Sequence, residues 1–191
     1  MRRKTLIKSA CTMMSTKLTS EFEDWLNLLD INAIADVSDK VAECEYFLSL
    51  AAQEKDKDKF RWLISAFFGA AYSFFEIQAL RAFHDHNPQT GERIENDEAL
   101  ATLRRYVHVV QKQNRPNFVK TSGQHDVTKL LYEFRKENTH HYTLSIMISS
   151  QELPEGFQFG NLSGKGVPAL SFCREAMLLI QEVERELQQH Y

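Results

Sequence analysis

The stretch WLISAFFGAAYSFF, Trp62–Phe75, runs for 14 residues without a charge, and Arg61, Glu76 and Arg81 bracket it. Crossing a bilayer takes about 20 apolar residues, so this run reads as too short to span. A helix that is apolar on every side and too short to span belongs at the centre of a bundle. Extended into its charged flanks it predicts a helix over 58–83, with Phe60, Leu63, Phe67, Ala71, Phe74 and Gln78 in register. Gly69, Ala70 and Ala71 are small enough to let a neighbouring helix approach closely.

Helical periodicity continues on both sides of this segment. Upstream, Phe22, Trp25, Leu26 and Leu29 follow the i, i+3, i+4, i+7 template behind a Thr19/Ser20 cap. Val41, Cys44, Phe47 or Leu48, and Ala51 give a second helix over 38–54. The sign-alternating run EKDKDKFR, Glu54–Arg61, reads as a solvated junction between helices. Downstream, HDHNPQTGERIEN at His84–Asn96 holds Asn-Pro and Thr-Gly and predicts a turn. Asn96 is an N-cap candidate ahead of Asp97 and Glu98, acids suited to a first helical turn, and Leu100, Leu103, Val107 and Val110 define the helix that follows. Arg115-Pro116 and Ser122-Gly123 mark a loop, and Asp126 caps a helix carrying Val127, Leu130, Leu131 and Phe134.

After Phe134 the period changes. Tyr142, Leu144, Ile146 and Ile148 alternate with polar or slim neighbours, a strand pattern, and Gln151–Gly156 is a turn. Phe157, Phe159 and Asn161 are placed on the returning strand, which predicts a hairpin over 142–162. Pro168 suits a first helical position, and Ala169, Phe172, Cys173, Ala176, Ile180, Val183 and Leu187 form the face of a last helix. The expected fold is therefore mainly α: a bundle of about six helices with a small β-hairpin inserted before the last one. No repeat or linker divides it, so residues 18–191 are expected to form a single domain.

Composition narrows the class. Of 191 residues 43% are hydrophobic and only seven are Gly and four Pro, enough apolar material for a real core and too little turn material for a disordered chain. Cys11, Cys44 and Cys173 are odd in number and widely spaced, which argues against a disulfide scaffold and for a reducing, cytoplasmic setting. The net charge of −3 excludes a globally basic nucleic-acid binder, yet residues 1–17 carry +5 and no acid, leaving −8 to the rest. That basic start lacks the apolar core of a secretory leader and reads as a floppy tail, or as an extension ahead of Met13 or Met14. Neither end of this reading calls for a membrane.

Chemistry-bearing motifs are sparse. There is no P-loop, GxGxxG, GxSxG or HExxH. His84 and His86 form an HxH pair without the third and fourth ligands that zinc requires, so no metal and no cofactor are expected. Cys44 and Cys173 sit on apolar helix faces as packing groups. His108 is read as a helical residue without a reactive role, and His125, beside Asp126 at a helix start, as a capping or surface residue.

One cluster stands apart: FRKENTHHY, Phe134–Tyr142, which couples a fixed cation, an amide and two imidazoles at a helix end. An imidazole moves protons near neutral pH, and an arginine fork holds a phosphate. These are the parts for cutting RNA without a metal: one group takes the 2′-hydroxyl proton while cations stabilise charge on the phosphate. In a straight helix, at ~100° per residue, Arg135 points about 140° from His140 and about 120° from His141. They converge only if the helix breaks between them or a second subunit brings its own copy. Read for stability alone, Arg135 pairs with Glu133 or Glu137 and His140 lines the bundle.

Arg135, four intervening residues and His140, at the edge of a helix in a helical bundle, resemble the signature of the HEPN superfamily, and Trp62–Phe83 resembles one of its long core helices. By architecture the resemblance spans residues 60–190. It implies a homodimer whose Arg/His motifs line a shared cleft, with RNA as substrate. Active members are metal-independent endoribonucleases, often toxins or antiviral effectors, and some are partnered by nucleotidyltransferase-type antitoxins. Other members have lost catalysis and bind RNA or a partner protein. Carried over, Arg135 contacts the phosphate, His140 transfers the proton and His141 is its alternate. Lys136 stands where active members commonly carry Asn, Asp or His, and Asn138 follows two residues later. Glu76 corresponds to an acidic partner on a core helix, or else is a structural ion-pair residue.

Overall fold

A computed structural model describes residues 37–86, 93–112, 115–137, 143–160 and 166–191. The basic start, the Phe22–Leu29 periodicity, Asn138, His140, His141 and Tyr142 lie outside these residues. Among the described residues there are five α-helices: α1 (Val37–Ala51), α2 (Lys57–Arg81), α3 (Asp97–Tyr106), α4 (Asp126–Lys136) and α5 (Ala169–Leu187). The protein is mainly helical, with small antiparallel sheets between the helices.

The charged junction contains the stop and start signals for its neighbours. Asp56 caps α2, its carboxylate accepting the backbone N–H groups of Asp58 and Lys59 at 3.0 and 2.9 Å. From there α2 runs 25 residues, long and apolar enough to cross a membrane by length and composition. Its surroundings are nevertheless those of a core helix: α1, α3, α4, α5 and the strand β4 (Arg115–Gly123) all pack against it. Phe60, Ile64, Phe67, Phe68, Ala71, Phe74, Phe75 and Ala79 are buried there. Gly69 departs from its expected role, because among the described residues nothing lies within 4 Å of a Cβ placed there; Ala70 and Ala71 are the small residues on the packed side. The face of α1 is Val41, Cys44, Leu48 and Ala51, with Phe47 only half-buried.

Three segments read as turns or helix are strands. β1 (Phe83–His86) pairs antiparallel with β2 (Arg93–Glu95), so the HxH pair lies on a strand. Asn96 then caps α3 by accepting from the Ala99 N–H at 3.1 Å, as its position suggested. That helix stops at Tyr106, well short of Val110. Val107–Lys112 forms β3, paired with β4, which absorbs both Arg115-Pro116 and Ser122-Gly123. Buried Val107, exposed His108 and buried Val109 alternate as a strand should, a two-residue period hidden inside residues that also fit 3.6. Among the described residues β4 pairs with β3 alone, so Pro116 occupies an edge strand there, where its missing N–H is tolerated.

The cap of α4 is His125, not Asp126: its imidazole Nδ1 accepts the Val127 N–H at 3.3 Å. Thr128, fully buried, donates to the Tyr106 carbonyl at 2.6 Å and ties the start of α4 to the end of α3. Ahead of α5 lies a three-stranded sheet of β5 (Ile146–Ile148), β6 (Phe157–Phe159) and β7 (Val167–Pro168), wider than a single hairpin because β7 adds to β6. Pro168 ends β7 one position before α5 begins. Every residue expected on the face of α5 is buried.

Candidate functional site around Tyr72, Glu76 and Arg135

α2 and α4 pack so that two turns of α2 meet the last turns of α4. On α2, Phe68, Tyr72 and Glu76 share one face at spacings of four. On α4, Tyr132 and Arg135 lie three apart, also on one face. Amphipathicity sets the rotation of α4, since Val127, Thr128, Leu131, Tyr132 and Phe134 must all be buried. That rotation leaves Arg135 half-buried at the rim, in the last turn, where a cation complements the helix dipole.

The guanidinium of Arg135 lies over the ring of Tyr72, with its central carbon 3.5 Å from the ring centroid. Tyr72 in turn donates its hydroxyl to the carboxylate of Glu76, and the second oxygen of Glu76 accepts the backbone N–H of Val119 on β4 at 3.0 Å. Tyr132 packs its edge against Tyr72, ring centroids 5.4 Å apart at 73°. A cation over an aromatic face contributes ~0.5–2 kcal/mol depending on desolvation. A hydrogen bond to a charged group contributes ~1.5–3 kcal/mol net. Together these contacts hold a carboxylate, a phenol and a guanidinium in fixed order.

Burial pushes the Tyr72 hydroxyl up to about 12, helped by the hydrogen bond to Glu76 and its charge, while Arg135 opposes the shift. At neutral pH the phenol is therefore a donor. Tyr132 is raised as well, again chiefly by burial. Its hydroxyl is sealed from solvent and, among the described residues, has no hydrogen-bond partner. A buried hydroxyl without a partner costs stability, so this end of the helix pair is not built for stability alone.

Of the residues singled out in the sequence, Glu76 and Arg135 are thus brought into one cluster although 59 positions separate them; Asn138, His140 and His141 follow Arg135 in the chain but lie outside the described residues. Arg135 is engaged by the ring of Tyr72. Glu76, expected as an acidic partner, has both oxygens occupied. Tyr72, Tyr132 and the Val119 N–H were missed. The available signal was small: a hydroxyl one turn before Glu76 and another one turn before Arg135, on faces otherwise apolar.

Among the described residues no three of His, Cys, Asp and Glu converge as metal ligands. A separate groove of about 560 Å³ between α1 and α2 is lined by Phe47, Leu50, Trp62 and Leu63 together with Glu54 and Lys59, and it includes none of the candidate residues. Compared with known proteins, the chain matches no family model, no curated protein and no solved structure.

Proposed function

We propose that the chain is a HEPN-like, metal-independent endoribonuclease whose site is built on the end of α4. The observation that carries this reading is the convergence of Arg135 and Glu76 through Tyr72, a cation and a half-buried carboxylate joined by one ring at the helix that leads into the two histidines. In the reaction, His140 or His141 accepts the proton of a ribose 2′-hydroxyl, and the 2′-oxygen forms a bond to the adjacent phosphorus. The P–O5′ bond breaks, the departing 5′-oxygen takes a proton, and the products are a 2′,3′-cyclic phosphate and a 5′-hydroxyl. Arg135 contacts the phosphate oxygens on which charge builds. Asn138 is a further polar contact in the same segment.

The proposal extends to a homodimer with a shared cleft, a six-helix bundle counting the Phe22–Leu29 segment, and a cytoplasmic toxin or antiviral role with a nucleotidyltransferase-type antitoxin as partner. A second reading, a catalytically inactive module that binds RNA or a partner protein, is favoured by two observations. Lys136 follows Arg135, and each oxygen of Glu76 already accepts a hydrogen bond, from the Tyr72 hydroxyl and from the Val119 N–H, which suits a structural anchor.

The test is cleavage of single-stranded RNA with excess EDTA. The nuclease reading expects cutting to cyclic-phosphate ends, and its loss in His140→Ala with the fold intact. Unchanged cutting by that variant removes the site assignment. Absence of cutting by a stable, dimeric wild type selects the inactive module. Sedimentation as a monomer at micromolar concentration removes the shared cleft.

A further inference from the structure

Tyr72 was not among the residues the sequence singled out, yet it touches every other member of the cluster. Its ring carries the Arg135 guanidinium, its hydroxyl is bound to Glu76, and the ring of Tyr132 packs against it. Glu76 is itself pinned to the backbone of β4 through the Val119 N–H. The chain of contacts thus runs from a sheet, through a carboxylate and a phenol, to a guanidinium at the helix rim. Every link except the last is fixed by a hydrogen bond or a packed ring. The last link favours arginine over lysine, because a delocalised, weakly hydrated guanidinium settles on an aromatic face more readily than a strongly hydrated ammonium. A stacked guanidinium is held by its face, so the contact itself consumes none of its N–H donors.

Resting on the nuclease reading above, we propose that Tyr72 is a positioning residue, a platform anchored by Glu76 that aims the Arg135 guanidinium at the scissile phosphate. Glu76 then serves as the anchor of the platform, not as a proton carrier. A misplacement of about 1 Å at a reacting centre costs on the order of 10²-fold in rate. The platform therefore acts on kcat, while contacts to the rest of the RNA set KM.

The experiment is steady-state cleavage of a fluorogenic oligoribonucleotide in EDTA by the wild type, Tyr72→Leu, Tyr72→Phe, Arg135→Lys and Arg135→Ala, alongside the NMR shift of the Arg135 Nε–H. Tyr72→Leu is expected to lose on the order of 10²-fold in kcat with KM little changed. Tyr72→Phe keeps the ring but loses the tie to Glu76, so its kcat is expected between those of the wild type and Tyr72→Leu, and Arg135→Lys falls to the level of Arg135→Ala. The Nε–H resonance lies upfield in the wild type and in Tyr72→Phe, and loses that ring-current shift in Tyr72→Leu. Wild-type kcat in Tyr72→Leu, or in Arg135→Lys should Tyr72→Leu fail to fold, overturns the platform while leaving the nuclease reading intact. An Nε–H without a ring-current shift in the wild type overturns it as well. A wild type that cuts no RNA overturns the nuclease reading, and the positioning role with it, even where the ring-current shift is present.

Discussion

Two neighbouring turns of α2 differ in kind. At one, Phe68 of α2 meets Phe134 of α4, Phe159 of β6 and Phe172 of α5, with ring centroids 5.7 to 6.4 Å from its own. Phe134 and Phe159 are closer still, at 4.4 Å. Four elements meet there through phenylalanine rings. One turn further along α2, the same packing position is Tyr72, followed by Glu76, and their partners on α4 are Tyr132 and Arg135. The aromatic frame continues, but each added oxygen or nitrogen has to be desolvated and matched. The first turn holds the elements together. The second maintains an arrangement that stability alone would replace with more phenylalanine, and this is the reason to look for function there.

Four measurements break or sharpen that contrast. The largest effect is expected at the apolar turn: Phe68→Ala should cost about 3–5 kcal/mol in urea unfolding, as large core truncations do. A loss under ~1 kcal/mol would mean that the four rings do not hold the fold. At the polar turn, Arg135→Ala should lower RNA cleavage by about 10²–10³-fold, the scale of losing one preorganised donor, while changing stability by under ~1 kcal/mol. A stability loss as large as that of Phe68→Ala would make Arg135 a structural residue and erase the contrast. Tyr132→Phe removes the sealed hydroxyl and should leave stability unchanged or raise it by about 1 kcal/mol. A comparable loss in the same denaturation experiment would reveal a partner for that oxygen.

The smallest effect concerns alkaline pH. The Tyr72 hydroxyl is raised to about 12 in the folded chain from an ordinary 10.0. The unfolded chain therefore releases this proton first, so the contribution is complete below pH 10 and is lost as pH rises from there through about 12. Thermal unfolding followed across that window should show the midpoint falling. Tyr72→Phe should fall less steeply. Equal slopes for the two proteins would place the Tyr72 hydroxyl in water and detach it from Glu76.

What could be read in the residue order is uneven, for physical reasons. The core helix, the α5 face and the Asn96 cap are local patterns, decided within a few residues. α3 and β3 show where such reading fails. Leu100, Leu103, Val107 and Val110 fit a helical period, yet the backbone changes at Tyr106 because Val107 and Val109 bury against a partner strand ten or more residues away. Strand pairing is a contest between distant segments, so one segment cannot report it. Glu76 and Arg135 were each legible as chemistry; Tyr72 was not, because a tyrosine in an apolar helix reads as packing until its neighbours are known.

Composition and hydrophobic period by themselves determined a mainly helical chain with an apolar helix at its centre, since burying apolar area while closing i to i+4 hydrogen bonds leaves few other solutions. The tertiary structure alone decided that Arg135 rests on Tyr72 and that Tyr72 reaches Glu76. The angle and rotation at which two helices cross come from packing many side chains at once. Those few degrees set whether residues 59 positions apart meet.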